Sequence, residues 1–430
     1  MRNILKKIRD KLIRPIQDEI EEIKKSIDGI GSLLSRQSAI HYSYGKHRIK
    51  VLFLVQSSEF WYALENVYLK MLSNDSFIPI LFAIPSRYSE NSEFENKSLN
   101  FLRSKYCSRV LHFEDIASIP DNIIEMLNPD VIFRQAPWEH LVPSIFRTEY
   151  LKKYRICYVP YALHTLNTET VFYNQELHNY AWRLYSDNQH LHECYERYNL
   201  TKDYNSIITG NTKFEYLNDK LNSNEHLAWP INIESRTPKL KILWCPHHSL
   251  ETWLGFATFH KNYADILKFA LDHPEYDIVF RPHPAMKTAM ITNNKMTLDE
   301  YDGFFKDFAK LPNCHIDYDS EYIHLFHHSD MLVADGIAFL FEYLLTRKPI
   351  VRVDSQVSVG FNDYYARFQQ AWYTVNSIGE LDNVILNIIN GCDILINERH
   401  SLSLDLYDVA SNISPSDKII ADLKESLLGT

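Results

Sequence analysis

Short apolar runs alternate with longer amphipathic stretches along most of this 430-residue chain. In the first half, the runs that read as strands are residues 48–55, 77–83, 130–133, 155–159 and 206–209. A second series of strand-like runs comprises residues 241–244, 277–280, 314–318, 331–334 and 349–353. Repeated alternation of this kind predicts parallel sheets covered by helices on both faces. The predicted fold class is therefore α/β, with two Rossmann-like, doubly wound domains.

A segment rich in Asn, Ser and Pro at 223–238 is typical of a linker and separates the two series. It divides the chain into a predicted N-terminal Rossmann-like domain at 45–222 and a C-terminal one at 239–410. The remaining residues, 411–430, are predicted to form a C-terminal helix.

Composition excludes several classes of function. The net charge of −10 makes nucleic acid an unsuitable main partner. The six cysteines are scattered without a CxxC pair, which indicates reduced thiols and neither a disulfide framework nor a zinc site. No apolar run is long enough to span a membrane, and no signal peptide is recognisable. We therefore expect a cytoplasmic protein without a bound metal or cofactor.

The first 40 residues differ from the rest. Residues 1–14 carry six basic side chains against a single acid, Asp10, and their apolar residues recur at helical spacing. That pattern predicts an amphipathic helix lying on an anionic membrane surface, so the protein should associate peripherally with the inner face of the cytoplasmic membrane. Isoleucine and leucine then repeat at steps of four and three over 16–34, which suits a short coiled coil and homo-oligomerisation. A helix packed onto its own domain explains this repeat equally well.

Polar residues directly follow the strands predicted in the second series. Arg281 and His283 lie between prolines immediately after 277–280, and His247 and Ser249 follow the preceding strand. Since ligands bind beyond the carboxyl ends of parallel strands, these side chains indicate an anion or nucleotide site. Guanidinium and imidazole groups both suit phosphate.

A third polar strand end follows residues 331–334. Gly336 lets the backbone approach a ligand closely, and Asp335 is placed to cap the helix that follows. The N-terminus of such a helix favours phosphate. Glu342, about one turn further along, is suited to accept hydrogen bonds from ribose hydroxyls.

These segments together resemble the CDP-glycerol glycerophosphotransferase family, which includes teichoic-acid and capsule enzymes. The resemblance covers roughly residues 155–355 and rests on the segments 244–249, 281–284, 329–336 and 341–349. It implies a GT-B-like architecture in which the C-terminal domain holds the donor nucleotide. Carried over by position, the resemblance implies that Arg281 and a protonated, catalytic His283 grip the donor pyrophosphate. Phosphate and ribose contacts would come from His247, Ser249, Asp335, Gly336 and Glu342.

The resemblance also implies a reaction. A polyol phosphate, with glycerol phosphate foremost, would pass from a CDP-linked donor to a hydroxyl of a glycan or lipid-linked acceptor, with release of CMP and without a metal. His164, in the first domain, would be the general base, with His247 in reserve. Two alternatives remain at this stage: a GT-B glycosyltransferase that uses a sugar nucleotide, and a non-catalytic scaffold of a capsule assembly complex. We expect His283→Ala and Arg281→Ala each to abolish turnover while leaving the fold intact.

Overall fold

The structure is a computed structural model that describes most of the chain. The described residues are Ile20, Lys24 and 48–429, apart from 88–91, 114, 225–226, 234–235, 251–253, 320 and 409–410. The amphipathic helix and coiled coil predicted over 1–40 thus lie outside the described residues, except for Ile20 and Lys24. Among the helices that the structure describes, none is long and apolar enough to cross a membrane.

The chain divides into two compact units. The first comprises the described residues of Met1–His164, Thr168–Lys213 and Ile413–Thr430. The second comprises those of Thr165–Asn167 and Phe214–Asn412.

The first unit is built on a seven-stranded parallel sheet. Its strands are β1 (Ile49–Val55), β2 (Phe77–Ala83), β3 (Val110–Leu111), β4 (Val131–Arg134), β5 (Ile156–Tyr158), β6 (Arg183–Ser186) and β7 (Ser206–Ile208). They lie in the order β3-β2-β1-β4-β5-β6-β7. The helices between them are α1 (Ser58–Trp61), α2 (Glu65–Leu72), α3 (Leu99–Tyr106), α4 (Ile123–Leu127), α5 (Thr148–Leu151), α6 (Glu169–Tyr173), α7 (Glu176–Tyr180) and α8 (Gln189–Tyr198). Helix α9 (Thr212–Leu221) follows β7, and from Phe214 onward it belongs to the second unit. Because both faces of β1 are covered, nearly all of its side chains are buried.

The second unit repeats this plan with six parallel strands. They are β8 (Leu240–Cys245), β9 (Tyr276–Phe280), β10 (Cys314–Ile316), β11 (Met331–Ala334), β12 (Ile350–Val353) and β13 (Tyr373–Val375). Their order, β10-β9-β8-β11-β12-β13, is that of a dinucleotide-binding fold, whose strand order reverses between β8 and β11. Its helices are α10 (Phe259–Asp272), α11 (Met286–Thr292), α12 (Leu298–Phe308), α13 (Ile323–His328), α14 (Ala338–Leu344), α15 (Asp363–Ala366), α16 (Ile378–Ile389) and α17 (Ile396–Leu406). The predicted α/β fold of two doubly wound, Rossmann-like domains is confirmed.

The last helix, α18 (Pro415–Leu428), belongs to the first unit. It starts with Ser414 as N-cap, whose hydroxyl accepts the N–H of Asp417, and it ends at Gly429 in a left-handed conformation. Asp422 pairs with Arg183 of β6 at 3.1 Å, and Lys70 of α2 contacts the first turn of α18. The apolar side of α18 thereby joins the core on one face of the first sheet.

Between β1 and β2 the chain forms two helices and not a single long one. A turn at Tyr62–Leu64 separates α1 from α2. The hydroxyl of Thr212 donates to the carbonyl oxygen of Ala63 at 2.5 Å, so this carbonyl bonds a distant side chain. That contact depends on the tertiary fold and leaves no local signal in the sequence.

Candidate active site

Three neighbouring strands of the second sheet end level with one another. Phe280 of β9 pairs with Trp244 of β8, and Cys245 of β8 pairs with Ala334 of β11. The loops that follow therefore start at one edge of the sheet, at the point where the strand order reverses. The N–H of His283 donates to the carbonyl of Pro246 at 3.2 Å and ties two of these loops together. The expectation that the three polar strand ends meet is thus confirmed.

Three imidazole rings from these loops form a compact histidine group: His247, His248 and His283. One ring nitrogen from each lies within 4.8 Å of the others. His248 stacks on His283 with ring centroids 4.0 Å apart, and the ring of His247 lies 4.5 Å from His248. The sequence did not single out His248 as a site residue, although it lies beside His247 in the same loop.

Backbone hydrogen bonds fix the tautomers of two of these rings. The N–H of Ser249 donates to Nδ1 of His247 at 3.2 Å, and the N–H of Ala285 donates to Nδ1 of His283 at 3.1 Å. Since both Nδ1 atoms accept, a neutral ring carries its proton on Nε2. A metal ligand has the opposite arrangement, because the nitrogen that does not bind the metal normally donates. The histidine group could hold a metal by proximity alone, but its hydrogen bonds suit an anion.

Burial favours the neutral form of two of these rings, His247 and His283. Burial, together with the neighbouring His248, lowers the pKa of His283 to about 4. Burial and both neighbouring histidines hold the pKa of His247 well below its ordinary range. Burial therefore works against the protonated His283 that was expected from the sequence, and the neutral ring offers an N–H dipole and no full charge.

Asp335 anchors the loop that carries His247. Its carboxylate accepts the backbone N–H of His247 and both the N–H and the hydroxyl of Thr258, the latter two at 2.7 and 2.8 Å. Burial raises the pKa of Asp335 to about 6, against the opposing effect of these hydrogen bonds. Asp335 does not cap helix α14, whose N-cap position is Ile337 without a side-chain hydrogen bond. The predicted cap is wrong because the buried carboxylate has three donors from other loops.

Gly336 lies directly against His247. A Cβ added at Gly336 would lie 2.7 Å from Cδ2 of His247, closer than packed side chains allow. The absence of a side chain at this position thus lets the β11 loop and the imidazole approach each other.

We expect Gly336→Ala to weaken binding of CDP by about tenfold or more, because the methyl group displaces His247 from its anchored position. Titration calorimetry with CDP measures the change. Gly303→Ala, in helix α12, is the matched control because its added Cβ meets no atom within 4 Å. This control should bind CDP normally and be stabilised by about 0.5–1 kcal/mol. Equal CDP affinity in the two variants would show that the close contact with His247 is unimportant.

Arg281 belongs to a second polar group beside the histidines. Nη1 of Arg281 donates to Asp317, which follows β10, and the guanidinium lies over the ring of Tyr322 at 5.4 Å. The hydroxyl of Tyr322 donates to Glu342 at 2.6 Å. The side chains of Arg281 and Asp317 are only 15 % and 5 % exposed. A buried carboxylate thus orients the predicted phosphate-binding arginine.

The structure brings together all predicted site residues of the second unit in these two neighbouring groups. Ser249 is fully buried, and its hydroxyl lies 2.9 Å from Nδ1 of His247, so it supports that ring. The sequence reasoning missed Asp317, Tyr322 and Thr258. Asp317 lies inside the run 314–318 that was predicted to be a strand, whereas the strand in the structure ends at Ile316, so the predicted boundary hid its position at the sheet edge.

His164 belongs to the first unit and follows β5. Its ring stacks on Phe172 with centroids 5.3 Å apart and meets Tyr173 edge-on. Burial, with a smaller effect of His190, lowers the pKa of His164 to about 4. His164 is therefore neutral near pH 7, the state in which an imidazole accepts a proton.

A comparison with known protein families identifies the region that carries these residues. Residues 160–357 match the family described as CDP-Glycerol:Poly(glycerophosphate) glycerophosphotransferase. The matched region is just under half of the 430-residue chain. Over this region the family resemblance inferred from the sequence is confirmed, and the match supports a transferase enzyme. The matched region contains every site residue predicted from the sequence.

Solved structures share the fold at low sequence identity. The wall teichoic acid polymerase TagF, soaked with CDPG, has 13% identity and a TM-score of 0.55, with 95% of this chain and 98% of that chain covered. UDP-GlcNAc 2-epimerase from Neisseria meningitidis, bound to UDP-GlcNAc, has 15% identity and a TM-score of 0.53, with 89% and 100% covered. The S. aureus MnaA–UDP structure has 10% identity and a TM-score of 0.55, with 88% and 97% covered. A search of curated proteins by sequence gave no match.

Proposed function

We propose that the chain transfers glycerol phosphate from CDP-glycerol to a hydroxyl group of a glycan or lipid-linked acceptor and releases CMP. The observation that carries the proposal is the family match over residues 160–357, within which the histidine group and Arg281 lie at one sheet edge. Two Nε2–H donors and a guanidinium suit a pyrophosphate, and the fold neighbour TagF is a wall teichoic acid polymerase. The polymer would be of the teichoic-acid or capsule type.

In the proposed reaction, the acceptor oxygen attacks the phosphorus atom that bears the glycerol. The bond from that phosphorus to the bridging oxygen breaks, and CMP leaves with the bonding electron pair. The acceptor proton passes to neutral His164. Phosphoryl transfer needs positioning and charge stabilisation more than covalent help, and Arg281 with the histidine Nε2–H groups provides both for the leaving phosphate. No step in this scheme requires a metal.

A lipid-linked acceptor would place the reaction at a membrane surface. A polymer that grows on a lipid would be made at the inner face of the cytoplasmic membrane. We include in the proposal that the basic residues 1–14 attach the enzyme reversibly to that anionic surface. Association of chains through 16–34 remains part of the same proposal.

A donor screen tests the proposed function. The purified chain is incubated with CDP-glycerol, CDP-ribitol, UDP-GlcNAc and other sugar nucleotides, and the released nucleotide is identified by chromatography. We expect CMP from CDP-glycerol, and none from a His283→Asn control that binds donor poorly. Release of a nucleoside diphosphate from a sugar nucleotide, without CMP from either CDP-polyol, would show a glycosyltransferase. Failure to bind any of the donors in calorimetry would favour the non-catalytic scaffold.

A further inference from the structure

Five rings form a continuous aromatic group in the first unit: Phe60, Trp138, Tyr161, Phe172 and His164. Phe60 lies on Tyr161 with ring centroids 4.0 Å apart, and Nε1 of Trp138 donates to the hydroxyl of Tyr161 at 3.1 Å. Trp138 meets Phe172 edge-on at 5.8 Å, and Phe172 stacks on His164. All five rings are half-buried, whereas the aromatic residues of the first unit's core are almost fully buried.

The aromatic group lies at the edge of the sheet where parallel strands bind ligands. Phe60 follows β1, Trp138 follows β4, and Tyr161 follows β5. The strand order of the first sheet reverses between β1 and β4, which is the usual position of a ligand crevice in such sheets. The side chain of Gln135 holds the loops after these two strands together: it accepts the N–H of Gln56 at 2.7 Å and donates to the carbonyl of Ser57 at 3.1 Å.

The charges around the aromatic group argue against a polyanionic ligand. Among the described side chains directly next to these rings in sequence, the charged ones are Glu59 and Glu139, and Glu59 interacts with the nearby cation Lys97. Glu139 is itself 3.6 Å from the fully buried Arg134. A chain of glycerol phosphates would require cations here, since phosphates are bound by arginine, lysine or helix N-termini. Aromatic faces with a phenol and an imidazole at their border match a ligand with apolar C–H faces and hydroxyl edges.

We propose that the aromatic group is an acceptor subsite that binds the terminal hexopyranose ring of the acceptor. The inference rests on the proposed function, which it deepens: the hydroxyl that receives the glycerol phosphate belongs to a sugar. The apolar face of the pyranose packs on Trp138 and Phe172, and His164, at the end of the same group of rings, accepts the proton. The enzyme then adds glycerol phosphate to a glycan terminus and does not extend an existing poly(glycerol phosphate) chain.

Saturation-transfer NMR on the full chain tests the subsite without requiring turnover. The probes are methyl hexopyranosides, methyl N-acetylhexosaminides and glycerol 3-phosphate, with octyl glycosides to detect binding through an alkyl chain. We expect transfer to the ring protons of a methyl glycoside, and binding weakened about tenfold or more in Trp138→Ala. Tyr204→Ala, which removes an 81 % exposed ring of the same unit, should bind as the wild type does. Phe172→Leu provides a second, milder variant if Trp138→Ala does not fold.

Three results would overturn the subsite: no transfer to any methyl glycoside, transfer only to the octyl chain or to glycerol 3-phosphate, or equal glycoside binding in wild type, Trp138→Ala and Phe172→Leu. Calorimetry with CDP on the same samples separates this inference from the proposed function. If the wild-type protein does not bind CDP, the proposed donor is contradicted. The glycoside experiment would still show whether the aromatic group binds a sugar.

Discussion

Arg281→Met is expected to reduce CMP release from CDP-glycerol by about 10²–10³-fold, because the guanidinium would no longer stabilise charge on the leaving phosphate. The same change should destabilise the protein by about 3–5 kcal/mol, since it leaves a buried carboxylate, Asp317, without its partner. Urea denaturation measures the stability, and chromatographic detection of CMP measures the rate. The expectation from sequence that Arg281→Ala leaves the fold intact is therefore revised.

The double variant Arg281→Met, Asp317→Leu separates the two effects. Removal of both charges should return the stability to near that of the wild type, because no buried charge remains unpaired. The rate should remain as low as in Arg281→Met. Lys287→Met serves as the matched control: Lys287 pairs with Asp302, but both side chains are about half exposed, so the stability should change by roughly 0.5 kcal/mol or less. If the double variant released CMP at the wild-type rate, Arg281 would not be part of the donor site.

His164→Asn is expected to lower kcat/KM by about 10²–10⁴-fold, the usual contribution of a positioned general base. The pH dependence makes the assignment specific. Burial lowers the pKa of His164 to about 4, so the ring stays neutral as the pH falls from 7 to 5. Protonation of His164 should therefore lower wild-type kcat/KM only as the pH approaches 4, and a decline near pH 6 would belong to Asp335, whose pKa burial raises to about 6. An ordinary, exposed histidine would give a decline near pH 6.5.

The acidic decline should be absent from the residual activity of His164→Asn. His140→Asn, which changes an exposed histidine of the same unit, should reproduce the wild-type profile. Circular dichroism at each pH checks that the chain remains folded. The pKa of each buried histidine is lower in the folded than in the unfolded state, so the unfolded state takes up protons first and the folded state loses stability as the pH falls from 6.5 to 4. An unchanged decline near pH 4 in His164→Asn would exclude His164 as the base.

The sequence was sufficient to predict the fold because its apolar runs are short, regularly spaced and separated by helical patterns. It also predicted that the loops after β8, β9 and β11 meet, since strands of a parallel sheet end at the same edge. The sequence did not predict which side chains at that edge form hydrogen bonds with one another. Asp335 was expected to cap a helix, as most exposed aspartates at such a position do, but burial makes the donors from His247 and Thr258 more favourable.

The sequence also did not predict the protonation state of the histidine group. A histidine next to phosphate-binding residues suggested a cation, yet burial, and then contact with the neighbouring imidazoles, disfavours the charged form of His247. Their tautomers depend on two backbone N–H groups, those of Ser249 and Ala285, whose directions only the folded loops define.

The C-terminal helix α18 packs on the first unit, and this affects folding of the chain during its synthesis. Helix α18 supplies Ile419, Leu423 and Leu427 to a core that otherwise consists of residues before Lys213. A ribosome therefore releases the whole second unit before it releases the residues that complete the first. Although domains generally fold in the order of their synthesis, here the later unit can reach its native core while the earlier one still exposes apolar surface. The first unit is thus the part of the nascent chain that depends longest on protection from aggregation.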